Sequence, residues 1–246
     1  MTKLLGARIG SYHTLNDWGL LMKVGSPKIS NAETEEYLIN VPGSDTMLNL
    51  TRALDGRPHY KKRTITMELK CIAPKKKWPA IYSKIANALQ GKWMQCKFDN
   101  DPAWYWEGLW SVSCARAGLY CTFTITGTCN PFKYSVYDGS SSWLWDTFNF
   151  EEDIARDYTD IQLAENEATT VTIIGAPRTA AIYFKRSEDT ADIAVVVNGS
   201  AAGILAKSVE WQYLEGLMLP DDAESVLQIT SSQKSSISIR YLGGSL

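Results

Sequence analysis

Val41-Pro42-Gly43-Ser44-Asp45, then a polar link, then His59-Tyr60-Lys61-Lys62-Arg63 leading into Thr64-Ile65-Thr66-Met67-Glu68-Leu69-Lys70-Cys71, is the stretch that decides how this chain is read. Proline presets φ and glycine accepts the positive φ of a type II turn, so Pro42-Gly43 reverses the chain. After Arg63 the residues alternate. Ile65, Met67, Leu69 and Cys71 fall on one face, and Thr64, Thr66, Glu68 and Lys70 on the other. That period of two predicts a half-buried β-strand. A turn, a long polar excursion and a returning strand therefore set the pattern of the first half.

Downstream, Ile81, Tyr82, Ile85, Ala88 and Leu89 recur at helical spacing. Pro79 fits a first helical turn and Gly91 a C-terminal cap, so a short amphipathic helix is expected to lie on a sheet. Strands are predicted at Trp93 to Phe98, Trp104 to Arg116 and Leu119 to Thr128, with Asn100-Asp101-Pro102 as a turn. Helix and meander together make an α+β N-terminal domain, a mixed β structure with one helix.

The second half reads differently. Asp138-Gly139-Ser140-Ser141-Ser142 is a linker, and Trp143 to Phe150 alternates in part. Short strands are expected at Val171 to Ile174, Ala180 to Phe184, Ile193 to Val197, Leu217 to Leu219, Val226 to Ile229 and Ile237 to Tyr241. Asn198-Gly199 is the strongest hairpin signal. Regular short strands without a helix predict an antiparallel β-sandwich.

Charge supports a division into 1–135 and 136–246. The first part holds 18 Lys and Arg against 10 Asp and Glu; the second holds 7 against 17, within a net charge of −2. With 246 residues, 45% of them hydrophobic, two cores can be built. No apolar run approaches the roughly 18–20 residues of a membrane span, and Met1 to Arg8 lacks the apolar stretch of a signal peptide. The expectation is a product that stays in the cytosol where it is made.

Catalytic chemistry is sparse. The chain has two histidines, His13 and His59, neither near a nucleophile in a Gly-x-Ser-x-Gly turn. The five cysteines, Cys71, Cys96, Cys114, Cys121 and Cys129, contain no Cys-x-x-Cys, so no zinc site is expected. Cys114 and Cys121 flank Ala117-Gly118. A two-residue loop would pair them, a bulge at Gly118 would shift the register, and reduced, half-buried thiols are the expectation. Glu151-Glu152-Asp153, Asp157 with Asp160 and Asp221-Asp222 read as solvated acidic loops. No phosphate-binding glycine loop occurs. Lys75-Lys76-Lys77 and Lys61-Lys62-Arg63 read as solvated basic runs, or as surfaces facing acidic partners.

Several short elements recur in a telling order: Asp17-Trp18-Gly19-Leu20, Val41-Pro42-Gly43, Tyr60 and Arg63 opening a strand, Asp99-Asn100-Asp101 before an aromatic strand, Trp143 to Phe150, and the ending Ile239-Arg240-Tyr241-Leu242-Gly243-Gly244-Ser245-Leu246. In that order and spacing the chain resembles the distal tail protein family of long-tailed (siphovirus-type) bacteriophages and prophages. It departs from the family in having Thr46, not glycine, after Asp45. It also lacks the large insertion that houses carbohydrate modules in some relatives.

The resemblance implies a structural virion protein, not an enzyme, with no cofactor. A homo-hexameric ring would be built by the N-terminal domain, and the C-terminal sandwich would have a galectin-like fold. The ring would join the major tail tube protein to a tail-associated hub or spike, near the tape-measure and receptor-binding proteins. DNA would pass through its channel without sequence-specific contact. The location would be the virion tail tip, after assembly in the host bacterial cytoplasm. The excursion from Gly43 to Tyr60 is long and flanked by strands, so it is expected to reach a neighbouring copy as a β-arm. Val41, Pro42, Gly43, Asp45, Tyr60 and Arg63 are its candidate interface residues. The alternative is a carbohydrate-binding sandwich contacting the host surface, with Trp143, Trp145 and Trp211 as stacking candidates. A third reading is a sandwich hydrolase acting on cell-wall sugar.

Overall fold

A computed structural model describes residues 6–53, 56–117, 120–140, 156–214, 217 and 219–246. The expected partial strand Trp143 to Phe150, the acidic run Glu151 to Asp153 and Gly118 lie outside the described residues. The chain divides into two units, Met1–Lys133 and Tyr134–Leu246.

The first unit begins with β1 (Ala7–Ile9), β2 (Tyr12–His13), β3 (Leu20–Met22), β4 (Lys28–Ile29), β5 (Leu38–Asn40), β6 (Met47–Asn49) and β7 (Arg63–Cys71). A 3-10 turn at Lys75–Lys77 leads into α1 (Trp78–Leu89), followed by β8 (Lys92–Phe98), β9 (Asp101–Ala117) and β10 (Tyr120–Cys129). Its antiparallel sheet runs β1-β8-β9-β10-β7, with β3 and β4 pairing successive parts of β7. The period-two reading of β7 holds: Ile65, Met67, Leu69 and Cys71 are buried, as are Cys121, Phe123 and Ile125 on β10. Trp106, Trp110 and Val112 of β9 join them, and α1 covers this face with Trp78, Ile85, Ala88 and Leu89. The helix ends at Leu89, and Gly91 takes φ +69°.

Trp104, which shares its face with Trp106 and Trp110 by period, is only half-buried; the Lys133 ammonium lies 4.8 Å from its ring. The turn before β9 also differs from expectation. Phe98 pairs directly with Asp101, so the reversal is at Asp99-Asn100, and Pro102 already lies in the strand. Proline is tolerated there because its missing N–H falls near a strand start.

A short strand, β11 (Lys133–Ser135), spans the division between the units. The second unit contains β12 (Ile161–Leu163), β13 (Ala168–Ile173), β14 (Arg178–Arg186), β15 (Ile193–Val197), β16 (Ser200–Ile204), β17 (Ser225–Ser231) and β18 (Ser235–Ser245). β18 pairs with β12 and β14, while β13-β17-β15-β16 form a second antiparallel sheet. Ile182, Phe184, Ile237, Ile239 and Tyr241 from one sheet share a buried cluster with Val171, Ile193, Val195, Leu227 and Ile229 from the other. That is the arrangement of an all-β sandwich.

Val197 pairs with Ser200 around Asn198 (φ +47°) and Gly199 (φ +81°), the two-residue turn with two positive φ angles that Asn-Gly favours. Leu217 and Leu219, expected in a strand, lie outside strands, and Met218 is outside the described residues. Leu219 instead buries its side chain in the core from a loop, so its apolar character reflects core filling, not alternation.

Candidate assembly interface

β5 and β6 form a two-stranded ribbon that pairs with no other strand among the described residues. Leu38 faces Asn49, Ile39 faces Leu48 and Asn40 faces Met47. The ribbon continues one step further, where the Leu50 N–H donates to the Tyr37 carbonyl at 2.8 Å. At the tip, the Ser44 N–H donates to the Val41 carbonyl at 3.1 Å across Pro42 and Gly43, and Gly43 takes φ +82°. This is the type II turn that the Pro-Gly pair calls for.

The arm is fastened at its root. Thr34 bridges Tyr60, the Glu35 N–H donates to the His59 carbonyl at 2.8 Å, and the Lys61 N–H donates to the Glu33 carbonyl at 2.8 Å. Tyr60 packs edge-on against Phe132 with ring centroids 5.8 Å apart. Arg63 donates through Nε to the Ser30 carbonyl at 2.8 Å, and its guanidinium lies 5.0 Å from the Trp106 ring centre. Partial burial lowers the Arg63 pKa from its ordinary value, yet arginine stays charged. The six candidate residues thus fall in two places. Val41, Pro42, Gly43 and Asp45 form the exposed tip, while Tyr60 and Arg63 hold the root to the sheet.

The excursion is less polar than its central sequence suggests. Tyr37, Leu38, Ile39, Val41, Met47 and Leu48 are all exposed; Ile39 is 49%, Leu48 50% and Met47 59% accessible. Adjacent positions such as Leu38 and Ile39 point to opposite faces of a strand, so apolar surface is presented on both sides of the ribbon. A shallow groove of about 670 Å³ at the ribbon is lined by Tyr37, Leu38, Ile39, Leu50, Ala53 and His59 among others. The signal for these residues was available as two short apolar runs, Tyr37-Leu38-Ile39 and Met47-Leu48, flanking the Pro-Gly turn. Reading the segment as starting at Gly43 missed the first run.

The remaining candidates are dispersed. Trp211 is 36% exposed, outside any strand, next to Gln212, which exchanges backbone hydrogen bonds with Phe184 at 2.7 and 2.9 Å. Trp143 and Trp145 lie outside the described residues. His13 is buried, its Nε2 3.1 Å from Asp99 Oδ1 and its Nδ1 accepting from the Leu15 and Asn16 N–H groups at 3.2 Å. One ring nitrogen thus ties β2 to the turn between β8 and β9, and the other holds the turn that follows β2. Asp221 pairs with Arg178 at 3.1 Å and accepts the Thr179 N–H at 2.8 Å, and Asp157 accepts the Thr159 hydroxyl at 2.6 Å. Among the described residues, no group of three His, Cys, Asp or Glu side chains is placed to hold a metal ion. No helix among them is long and apolar enough to cross a membrane.

Compared with known proteins, the chain matches no family model and no curated protein. The chain is similar throughout to the solved structure of SPP1 Dit (gp 19.1), described as a paradigm of the hub adsorption apparatus in phages that infect Gram-positive bacteria. The alignment covers 99% of this chain and 100% of that one, with a TM-score of 0.58 and 11% sequence identity. The chain shares the fold of Dit. The similarity extends over both units. At this identity the likeness is one of fold.

Proposed function

We propose that this chain is a structural protein of a phage tail tip, acting as a homo-hexameric ring between the tail tube and the adsorption hub. The observation that carries the reading is the two-way, whole-chain similarity to the Dit hub protein. The resemblance of Asp17 to Leu20, Val41 to Gly43 and the C-terminal ending to distal tail proteins points the same way. In this reading the first unit builds the ring and the second is a galectin-like sandwich at its periphery. The ring joins the major tail tube protein to the tail-associated hub or spike, close to tape-measure and receptor-binding proteins, and leaves a channel for DNA.

The arm fits this role physically. A two-stranded ribbon is marginal alone in water, and one with apolar residues on both faces gains from being covered. A copy-to-copy contact between different patches gives a ring with no free edge when its rotation closes, and an open filament when it does not. The β5–β6 arm is the segment to reach the next copy, adding main-chain hydrogen bonds and burying Leu38, Ile39, Met47 and Leu48.

Negative-stain electron microscopy of the concentrated, purified chain tests the proposal. Annular particles with sixfold class averages are expected. Open filaments, or compact dimers with twofold symmetry, would overturn it.

A further inference from the structure

Away from the arm, the Sγ atoms of Cys114 and Cys121 lie 2.7 Å apart. Cys114 is near the end of β9 and Cys121 near the start of β10. The register pairs Ala117 with Tyr120, Arg116 with Cys121 and Cys114 with Phe123. A two-residue connection therefore leaves the cysteines diagonal, not directly opposite, but on the same face of the sheet. Strand twist draws one diagonal of such a pair together. The separation is longer than a disulfide bond of about 2.05 Å and shorter than ordinary non-bonded contact of about 3.5–4.0 Å.

The two thiols differ in access. Cys121 is fully buried, and Cys114 is half-buried at the hairpin end. Burial first, and then the adjoining Cys114 thiol, pushes Cys121 up to about 12. Attack on an oxidant thus begins at Cys114.

We infer that Cys114 and Cys121 are an oxidisable pair that a small disulfide, such as oxidised glutathione, converts into an intrachain disulfide clamping the β9–β10 hairpin. The Cys114 thiol loses its proton to solvent, and its sulfur bonds to one sulfur of the oxidant, releasing one glutathione thiolate. That thiolate takes up a proton. Cys121 then loses its proton, and its sulfur displaces the second glutathione from Cys114. Two cysteine thiols are oxidised by two electrons and one glutathione disulfide is reduced to two thiols. The inference is independent of the tail-tip reading.

The full chain is incubated with oxidised glutathione or diamide, denatured, alkylated with iodoacetamide and digested with trypsin for mass spectrometry. Of the five thiols, three are expected to alkylate, with the peptide ending at Arg116 linked through Cys114 to Cys121 of the peptide beginning at Ala117. Cys114→Ser keeps all its remaining thiols alkylable, and Cys71→Ser still forms the bond. The oxidised wild type is also expected to melt higher than the reduced form, a difference that Cys114→Ser abolishes. Five free thiols after both oxidants, or a bond that uses Cys71 or Cys129, overturns the pairing. An unchanged melting midpoint in the linked protein overturns the clamp.

Discussion

Gly127 of β10 lies opposite Trp110, whose indole is fully buried and donates through Nε1 to the Met94 carbonyl at 2.9 Å. A Cβ at Gly127 would come within 2.6 Å of that ring, which has no room to retreat. Gly127→Ala is therefore expected to cost about 1–3 kcal/mol through overpacking, read as a lower urea midpoint with an unchanged slope. An unchanged midpoint would mean that the Trp110 pocket is looser than its geometry. Asn198 makes a second residue-scale case. It holds φ +47° and its Oδ1 accepts the Val226 N–H at 2.9 Å. Asn198→Ala leaves a left-handed position without its local acceptor, and about 1–2 kcal/mol of lost stability is expected. Asn198→Gly, which relieves the backbone but not the hydrogen bond, should lose less.

At the scale of elements, what could be read from the sequence followed burial asymmetry. β7 and β10 alternate because one face meets α1 and the other does not, so Ile65, Met67, Leu69, Phe123 and Ile125 announce their own pattern. The helix was legible from the apolar spacing at Ile81, Tyr82, Ile85, Ala88 and Leu89, bounded by Pro79 and Gly91. β16 was not, since Ser200-Ala201-Ala202-Gly203-Ile204 has small residues and no fully buried face. β12 has only three residues, too few to show a period. The arm was half legible. Its Pro-Gly turn was plain, but its strands are exposed on both faces and carry no alternation. One electrostatic link is also testable. Glu68 on β7 lies 3.1 Å from Lys28 and 3.7 Å from Lys23. The Lys28 hydrogen bond and charge hold its carboxyl below the usual carboxylate range. Its contribution is present above the unfolded-state value near 4.5 and is lost as pH falls through the lower folded value. The pair is exposed, so Glu68→Gln should change stability only slightly at pH 7 and low salt, and the difference should vanish in high salt. A large, salt-independent loss would contradict a surface ion pair.

At the scale of the whole molecule, a Dit-like fold carries an arm with exposed apolar residues, which in the proposed ring a neighbouring copy would cover. The two are separable by mutation. Ile39→Lys with Leu48→Lys places charge on the directly paired, exposed positions of β5 and β6. Neither residue belongs to the buried core, so the melting midpoint of the isolated subunit should stay within a few degrees, while assembly drops to the single-chain mass. Loss of folding together with assembly would instead make the arm part of the subunit's own core. The most direct measurement on the central claim is the solution mass of the purified wild-type chain by light scattering across a concentration series. The account predicts a closed species near six times 27.4 kDa whose mass stops rising with concentration. A chain that stays at 27.4 kDa at every concentration would contradict it.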